Sequence, residues 1–386
     1  MLRLRSLSVI LACFAIVAAA CGGSDSDDAA DGTAADSQDT QVAGTTETVE
    51  PSSTEAAPTD TTTPTEAPDP TAAAPDSTVD GTEPPETDPA PVDTGTDTDS
   101  EDGVRTVVDG FGDEIEVPVD PQRIVVLNPG TILPTYLELG APVVASNIPT
   151  DDFATAVLPA EDLASIESVG FPTPSLELVA AQDPDIIVFF APGDADLVDE
   201  LREIAPTVAA EFDLNDWRVS GRSAADAIGQ ADEFDALVAE YDQREAALAD
   251  ALGDRLDDEV SIVRALGDAV RMHTRFHFAG QVIDSIGMAR TPEQQTDDPA
   301  VRNIQISLEE IDQVDGDILF MFGAGLDDAA IQSSLDEVQQ SPLWNTLEVV
   351  QNDRVFIVDT LAWQQGGLRA AELILADVAA AYGVGG

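Results

Sequence analysis

Residues 175–190 read SLELVAAQDPDIIVFF, and residues 307–322 read SLEEIDQVDGDILFMF. Both segments begin with Ser-Leu-Glu, and after seven further residues both continue with an aspartate and five apolar residues. A serine before an acidic first turn is typical of a helix start, whereas a short apolar run is typical of a buried strand. We therefore predict the same helix–strand unit twice, once in each of two similarly built lobes.

The segments around this repeat alternate between strand and helix patterns. Residues 104–117 predict a hairpin, 123–127 predict a buried strand, and a helical stretch follows that ends at Gly140. Residues 224–257 have the longest helical pattern, which predicts a helix of roughly 28 residues that links the lobes. The sequence thus predicts an α/β fold with two Rossmann-like lobes, joined by a single long α-helix and with a ligand cleft between them. We assign residues 104–222 to the N-terminal lobe, 223–257 to the linking helix and 258–386 to the C-terminal lobe.

Residues 1–20 have the layout of a lipoprotein signal peptide. Arg3 and Arg5 precede the apolar run 7–20, and small residues stand directly before Cys21. The run has about 14 residues, fewer than the roughly 20 that a helix needs to cross a bilayer, so a permanent membrane span is the weaker interpretation. The end of the segment resembles a bacterial lipobox. This resemblance implies that Cys21 is lipidated and that the chain is extracytoplasmic, anchored to the outer face of the cell membrane.

The charge of the chain is strongly one-sided. Its formal net charge is −59, and all 16 basic residues are arginine, which excludes nucleic acid as a partner. Residues 21–103 contain 22 acidic residues but no basic or aromatic residue, so we predict a disordered acidic linker rich in Thr, Pro and Ala behind the lipid anchor. Cys13 and Cys21 are the only cysteines, so the mature chain has no internal disulfide.

Several motifs between residues 104 and 386 occur in the order found in one known family. Residues 121–127 read PQRIVVL and residues 137–143 read LELGAPV. They are followed by Pro-Asp-Ile-Ile at 184–187, Phe-Ala-Gly at 278–280 and Pro-Leu-Trp at 342–344. In this order the motifs resemble the substrate-binding lipoproteins of ABC importers, specifically the helix-linked class that captures ferric siderophores, haem and cobalamin.

This resemblance implies a function and two partners. We expect a monomer without a cofactor that captures an iron(III)–siderophore complex and delivers it to an ABC permease. In the family each lobe docks onto the permease through a surface glutamate, and Glu177 and Glu309 occupy these positions in the two repeats. The alternative is that both acids only complement a helix dipole. No motif of a hydrolase, nucleotide-binding enzyme or zinc protease occurs, so we do not predict an enzyme.

Ligand contacts are expected in loops at the carboxyl ends of strands and among clustered arginines. Planar guanidinium groups suit the oxygens of a ferric siderophore, and tryptophans commonly line small-molecule pockets. Turn formation, surface ion pairing and core packing are the respective alternatives for the polar, arginine and tryptophan candidates. The candidate ligand-binding residues are Asn128, Thr131, Trp217, Arg264, Arg271, Arg275 and Trp363.

The only two histidines, His273 and His277, lie among these arginines. Two imidazoles four residues apart, without a cysteine or a spaced carboxylate motif, do not predict a direct metal site, but they leave a role as haem ligand open. Two alternatives to siderophore transport therefore remain from sequence. One is a haem- or cobalamin-binding protein of the same fold, and the other is a surface lipoprotein without a transport function.

Overall fold

The computed structural model describes residues 103–149, 156–191, 195–325 and 327–385. The predicted signal peptide, the lipidation site Cys21 and the linker lie outside the described residues. Within the described ranges, no helix combines the length and the apolar character that crossing a bilayer requires.

The N-terminal lobe begins with a separate hairpin, as predicted, and continues with a parallel sheet. The hairpin strands are β1 (Val104–Val108) and β2 (Glu114–Pro118), which pair antiparallel. The sheet has the order β5-β4-β3-β6-β7, and all neighbouring strands are parallel. Its strands are β3 (Ile124–Val126), β4 (Val143–Ser146), β5 (Glu167–Ser168), β6 (Ile186–Phe190) and β7 (Thr207–Ala210). The helices are α1 (Ile132–Glu138), α2 (Ala160–Leu163), α3 (Leu176–Ala181) and α4 (Ala195–Arg202).

Two helices lead into the C-terminal lobe, which is built on a mixed sheet. The connecting helices are α5 (Trp217–Ala227) and α6 (Ala231–Leu252). The sheet has the order β10-β9-β8-β11-β12. Its strands are β8 (Val260–Ala265), β9 (Ala269–His273), β10 (Asn303–Ser307), β11 (Ile318–Phe322) and β12 (Val355–Ile357). The helices are α7 (Phe278–Ile286), α8 (Asp328–Gln339), α9 (Glu348–Gln351), α10 (Thr360–Gln364) and α11 (Leu368–Tyr382), with 3-10 turns at Gly253–Asp257, Pro292–Gln294, Leu308–Val314 and Trp344–Thr346.

The strand halves of the two repeats occupy equivalent places in the two sheets. Strand β6 lies between β3 and β7, and strand β11 lies between β8 and β12. The helix halves differ. In the first repeat the Ser175 side chain accepts a hydrogen bond from the backbone N–H of Leu178 and caps α3. In the second repeat the Ser307 hydroxyl donates to the side chain of Glu310, and a kinked 3-10 helix replaces the predicted capped helix. The prediction of a capped helix is therefore wrong for the second copy.

The C-terminal sheet departs from a purely parallel arrangement at one edge. Strands β9 and β10 run antiparallel to their neighbours, whereas β8, β11 and β12 are parallel to one another. The physical reason lies in the connection between β8 and β9, which consists of residues 266–268 only. Such a short link allows a hairpin but not the crossover that a parallel pair needs. Gly267, with a φ of 90°, supplies the left-handed turn conformation.

The long connecting helix is confirmed. Helix α6 has 22 residues, and the 3-10 turn Gly253–Asp257 continues it to 27 residues, close to the roughly 28 that the sequence predicts. It begins later than the helical pattern does, because Gly229 adopts a φ of 77° and separates α5 from α6. At 1.5 Å per residue, α6 is about 33 Å long. Its buried side chains Phe234, Tyr241 and Leu248 belong to the largest apolar cluster, which also contains Trp217 and residues of α7 and α11. The helix therefore packs on both lobes.

A cluster of charged side chains ties the lobes together beside the apolar core. Arg369 of α11 donates to the backbone carbonyl of Val157 at 3.1 Å and to the Asp162 carboxylate at 2.6 Å. Its Nε atom lies 3.8 Å from the carboxylate of Glu138 in α1. One side chain of the C-terminal lobe thus contacts three groups of the N-terminal lobe.

Glu138 generates a prediction for the pH dependence of stability. Burial, reinforced by repulsion from Glu372 and opposed by Arg369 and Arg244, raises the pKa of Glu138 to about 7 from an ordinary value of 4.5. The favourable contribution of the protonated group is complete below pH 4.5 and is lost as the pH rises through 7, because ionisation then occurs in a buried site. Glu138→Gln is expected to raise the free energy of unfolding by about 2 kcal/mol at pH 8 but to change it little at pH 4.5.

Urea unfolding at the two pH values measures this difference. Glu200→Gln, which neutralises an exposed carboxylate of α4, is the control and is expected to give no comparable gain at pH 8. Equal effects of Glu138→Gln at pH 4.5 and pH 8 would contradict the prediction.

Candidate ligand-binding cleft

A cleft of about 370 Å³ lies between the two lobes. The N-terminal lobe and α5 contribute a loop after β3, a loop after β7 and the first turns of α5. The C-terminal lobe contributes the open edge of its sheet, the start of α7 and the turn after α10. The lining residues on the first side are Thr131, Phe212, Asp213, Leu214, Trp217 and Ser220. On the second side they are Arg264, Arg271, His273, His277, Phe278, Gln281, Arg302, Asn303, Gln364, Gln365, Gly366 and Gly367.

The antiparallel edge of the C-terminal sheet places two arginines side by side. In the register of β8 and β9, Arg264 stands directly opposite Arg271, and Arg271 stands opposite Gln305 of β10. His273 lies two residues further along β9, on the same face of the sheet as Arg271. Like charges directly opposite each other on neighbouring strands are destabilising, so this pair is not explained by the stability of the sheet.

The two guanidinium groups use little of their donor capacity within the protein. Arg271 donates one long hydrogen bond, of 3.4 Å, to the side-chain oxygen of Gln305. The Nε atoms of Arg264 and Arg271 are buried, and neither has a hydrogen-bond partner in the described part of the chain. Burial, followed by repulsion from Arg271, lowers the pKa of Arg264. The donors free for a molecule in the cleft are therefore the terminal N–H groups of the two arginines, not the buried Nε groups.

A third arginine approaches the cleft where the lobes touch. Arg302, just before β10, donates to the side-chain oxygen of Asn215 at 3.2 Å, across the lobe boundary. Gln281 of α7 crosses the same boundary and donates to the backbone carbonyl of Leu214 at 2.8 Å. Burial lowers the pKa of Arg302, while Asp213, the acidic residue among the lining side chains, opposes this shift. These contacts fix the loop after β7 against the C-terminal lobe.

The two histidines form a close pair in the wall of the cleft. Their ring centroids are 3.7 Å apart and their planes are almost perpendicular. Burial, reinforced by Arg302 and Arg264, lowers the pKa of His277 to about 3. Burial and the neighbouring His277 hold the pKa of His273 well below its ordinary value. Both rings are thus neutral at physiological pH, and each offers one nitrogen as donor and one as acceptor.

The histidines do not assemble with other side chains that ligate metals. Among the residues that the structure describes, no group of three or more His, Cys, Asp or Glu side chains could hold a metal ion. Three of the four imidazole nitrogens, both of His273 and Nδ1 of His277, are buried and have no hydrogen-bond partner in these same residues. The two rings therefore form a neutral part of the wall beside the arginines.

The opposite wall of the cleft contributes three apolar side chains. Phe212 and Leu214 are exposed by 42% and 51%, while Trp217 is buried and presents part of its ring to the cleft. The indole of Trp217 packs edge-on against Tyr241, with centroids 5.4 Å apart, and the guanidinium of Arg218 lies 4.7 Å from its ring centroid. An indole held in this way is a rigid surface against which the apolar part of a ligand can pack.

The structure brings together six of the residues that the sequence proposed for ligand or haem binding. They are Thr131, Trp217, Arg264, Arg271, His273 and His277. They come from four separate segments of the chain, and the order of strands in the two sheets makes these segments converge. Thr131 lies beside the turn after α10. A Cβ atom added at Gly367 of this turn would be 3.2 Å from the Thr131 methyl group.

Three other proposed residues lie outside the lining of the cleft, and each has a structural role. The side-chain oxygen of Asn128 accepts hydrogen bonds from the backbone N–H groups of Thr131 and Ile132 and so caps α1. Arg275 forms an ion pair with Asp284 at 2.6 Å. Trp363 is fully buried, stacks on Phe320 and donates its indole N–H to Asp377 at 2.7 Å.

Several lining residues were missed in the sequence. Asn303 and Gln305 alternate with two isoleucines in the NIQIS segment of β10, and this period-two pattern indicates a strand with one polar face. Arg302 directly precedes this strand, so the pattern also indicates Arg302 as a residue at the strand end. Phe212 and Leu214 follow β7, whose sequence TVAA is too short and too rich in alanine to be recognised as a strand.

The two glutamates proposed for docking are both exposed. Glu177 lies in the first turn of α3, and Glu309 lies at the start of the 3-10 helix that precedes β11. They precede the two equivalent strands β6 and β11, so the two lobes present them at corresponding points of the fold.

The buried histidines lead to a prediction that NMR spectroscopy tests directly. Because the chain has two histidines only, we expect two imidazole C2–H resonances that do not shift between pH 8 and pH 5 in the folded protein. In urea both are expected to titrate near the ordinary value of 6.5.

The stability that neutral His277 contributes is present above pH 6.5 and is lost as the pH falls towards 3. His277→Gln should therefore lose about 2 kcal/mol less than the wild type between pH 7 and pH 5. An apparent pKa near 6 for either ring in the folded protein would contradict this picture.

Comparisons with known proteins agree with this architecture. The model of the periplasmic binding protein family matches residues 133–361, more than half of the chain. The probable siderophore-binding lipoprotein YfiY of Bacillus subtilis (strain 168) is 31% identical over 293 residues, which cover 72% of this chain and 88% of that protein. The Fe(3+)-citrate-binding protein YfmC of the same organism is 26% identical over 209 residues, which cover 53% of this chain and 63% of that protein.

A solved structure shows the same fold. The crystal structure of Staphylococcus aureus SirA complexed with staphyloferrin B superimposes with a TM-score of 0.62 at 23% identity, covering 73% of this chain and 99% of that chain. The two lobes, the connecting helix α6 and the order of the motifs agree with the helix-linked class that the sequence indicates. The chain therefore belongs to the periplasmic binding protein family, whose members bind a solute and are not enzymes.

Proposed function

We propose that this protein captures an iron(III)–siderophore complex in the cleft between its lobes and delivers it to an ABC importer. The observation that carries the proposal is the group of three cleft arginines, Arg264, Arg271 and Arg302, in a chain with a net charge of −59. Siderophore complexes present oxygen atoms, and guanidinium groups are suited to bind such atoms. The relative YfiY is named a siderophore-binding lipoprotein, which supports the same cargo.

The two walls of the cleft have different tasks in this proposal. The arginines bind the oxygens of the complex, and the neutral His273 and His277 form the part of the wall beside them. Trp217 on the opposite wall packs against the organic part of the ligand, and Thr131 lines the same side of the cleft. Binding residues from both lobes allow the complex to be held between them.

Delivery requires a surface that the importer recognises. Glu177 and Glu309 are exposed at corresponding points of the two lobes, and we assign them to docking onto basic residues of the permease. A matched pair of this kind fits a permease built from two similar halves. Lipid on Cys21 and the acidic linker that follows it would keep the binding protein close to its permease and raise the effective concentration for docking.

The alternatives are a haem or cobalamin carrier of the same fold and a surface lipoprotein without a transport function. Neither is favoured by the geometry of the cleft. The rings of His273 and His277 pack edge-on with centroids 3.7 Å apart, and His273 is only 2% exposed, so the pair is poorly placed to reach the iron of a planar macrocycle. A Soret or corrin absorbance band retained through purification would revive the first alternative.

Tryptophan fluorescence gives a direct test of binding. We expect saturable quenching when the purified protein is titrated with ferric complexes, and a larger loss of quenching amplitude in Trp217→Phe than in Trp363→Phe. The reason is that Trp217 lines the cleft whereas Trp363 is buried away from it. Absence of saturable quenching with catecholate, hydroxamate and carboxylate complexes alike would refute the proposed function.

Charge reversal tests the docking assignment separately from binding. In cells that express the full chain, the double variant Glu177→Arg/Glu309→Arg is expected to lower uptake of the iron complex at least about ten-fold, because each reversed charge repels a basic partner residue. Its affinity for the complex should stay unchanged. The control reverses one exposed glutamate elsewhere on each lobe, Glu200→Arg and Glu337→Arg, and should leave uptake intact. Unimpaired uptake in the first double variant would argue for a surface lipoprotein without this transport role.

A further inference from the structure

We propose that the cargo is a ferric complex of net negative charge, so that complexes with carboxylate or catecholate oxygens bind in preference to neutral hydroxamate complexes. This inference rests on the proposed function and goes beyond it, because it names the class of siderophore. It follows from the charges that line the cleft and from the pairing of arginines elsewhere in the protein.

Most arginines of the described part of the chain form ion pairs. Those within 4.0 Å of an Asp or Glu carboxylate are Arg105, Arg202, Arg218, Arg222, Arg244, Arg275, Arg354 and Arg369. None of the three cleft arginines has such a partner among the described residues, although acids outnumber arginines several-fold in the sequence. In so acidic a protein, three adjacent arginines without a carboxylate are a specific arrangement.

The arrangement is also unfavourable without a ligand. Arg264 and Arg271 face each other across neighbouring strands, and both Nε atoms are buried. Placing two like charges in this position opposes folding, and partial burial weakens the screening by water. An anion between the two guanidinium groups removes this repulsion and accepts hydrogen bonds from the free donors.

The remaining groups leave the cleft positively charged. Asp213 is the acidic side chain among the lining residues, and it offsets at most one of the three arginines. The neutral His273 and His277 add no charge of either sign, and three of their four ring nitrogens are buried. The complementary ligand therefore carries an excess of negative charge.

Ferric complexes differ in this property according to their ligand groups. Three hydroxamates, each with a single negative charge, balance the charge of iron(III) and give a neutral complex. Three catecholates, or hydroxycarboxylates that bind through ionised hydroxyl and carboxyl groups, each bring two negative charges and give an anionic complex. Anionic oxygens at the surface of the complex match the forked donors of arginine, and a carboxylate matches them in a bidentate manner.

The experiment compares three probes on the same protein by titration of tryptophan fluorescence. The probes are ferric dicitrate, an anionic ferric tris-catecholate and a neutral ferric trihydroxamate. We expect at least one anionic complex to bind ten-fold or more tightly than the neutral one, and its affinity to fall about ten-fold between roughly 50 and 500 mM NaCl as the cleft charges are screened. The comparison of dicitrate with catecholate then identifies which oxygen chemistry the cleft prefers.

Neutral substitutions connect this preference to the cleft. Arg264→Gln, Arg271→Gln and Arg302→Gln should each raise the Kd of the anionic complex about ten- to hundred-fold, because a charge-assisted hydrogen bond is lost. The same variants should change the Kd of the neutral complex less than about three-fold. Arg222→Gln is the matched control, since Arg222 is paired with Asp235 on the surface away from the cleft, and it should affect neither. Thermal melting of each variant verifies that it is folded.

The outcomes separate this inference from the proposed function. Tighter binding of the neutral complex, or anionic binding that is insensitive to salt and to the three substitutions, would overturn the inference while leaving siderophore binding intact. Failure of all three probes to bind would overturn the proposed function itself.

Discussion

The buried side of α6 is the constraint on which the geometry of the cleft depends. Phe234 and Tyr241 are buried in the same apolar cluster as side chains of α5, α7 and α11, and hence contact both lobes. Burial of a large apolar side chain stabilises by about 1.5 to 3 kcal/mol, so a separation of the lobes that exposes several of them is costly. Arg369 adds polar contacts to the same junction. The two walls of the cleft are therefore held at a nearly fixed distance, and a ligand is selected by what these walls present.

The fixed geometry of the cleft bears on how charge is distributed between the exterior of the protein and the cleft. A chain with a net charge of −59 repels anions at long range, which at first appears incompatible with an anionic cargo. At physiological ionic strength, however, screening limits this repulsion to about 8 Å. An approaching complex thus responds mainly to the residues at the mouth of the cleft, where Arg264, Arg271 and Arg302 dominate. In the proposed function the local arginines, rather than the acidic exterior, determine binding.

Much of the fold could be predicted from the sequence because its signals are local. The repeated apolar runs of β6 and β11, the hairpin at the start and the glycine after α1 all depend on neighbouring residues, and each is found where it is expected. The break before α6 was missed because a glycine can be tolerated within a helix, and the helical pattern does not reveal that Gly229 adopts a left-handed φ. The direction of β9 was missed because a strand pattern contains no information about orientation.

The site was harder to predict, since its residues meet only through the strand order of two sheets. Clustering in the sequence selected Arg264 and Arg271, which line the cleft, but it also selected Arg275, which forms an ion pair with Asp284. Which arginine has a partner is a three-dimensional property. Trp363 illustrates the same limit. The sequence predicts a loop position next to a strand end, whereas in the structure Trp363 is buried in the core and its indole N–H donates to Asp377.

A buried polar network holds together the two strands that carry the unpaired like charges of the cleft. Arg290 is 4% exposed and donates to the backbone carbonyls of His273 and Val260, at 2.6 and 3.1 Å. Gln294 accepts from the backbone of Ile262 at 3.0 Å and donates to Ser261 at 2.6 Å. The network thus joins the last residue of β9 to β8, the two strands that carry Arg271 and Arg264. Without it, the repulsion between these arginines would favour separation of the strand ends. Because the strands are held in place, the repulsion persists in the folded protein, and an anion bound as proposed would relieve it.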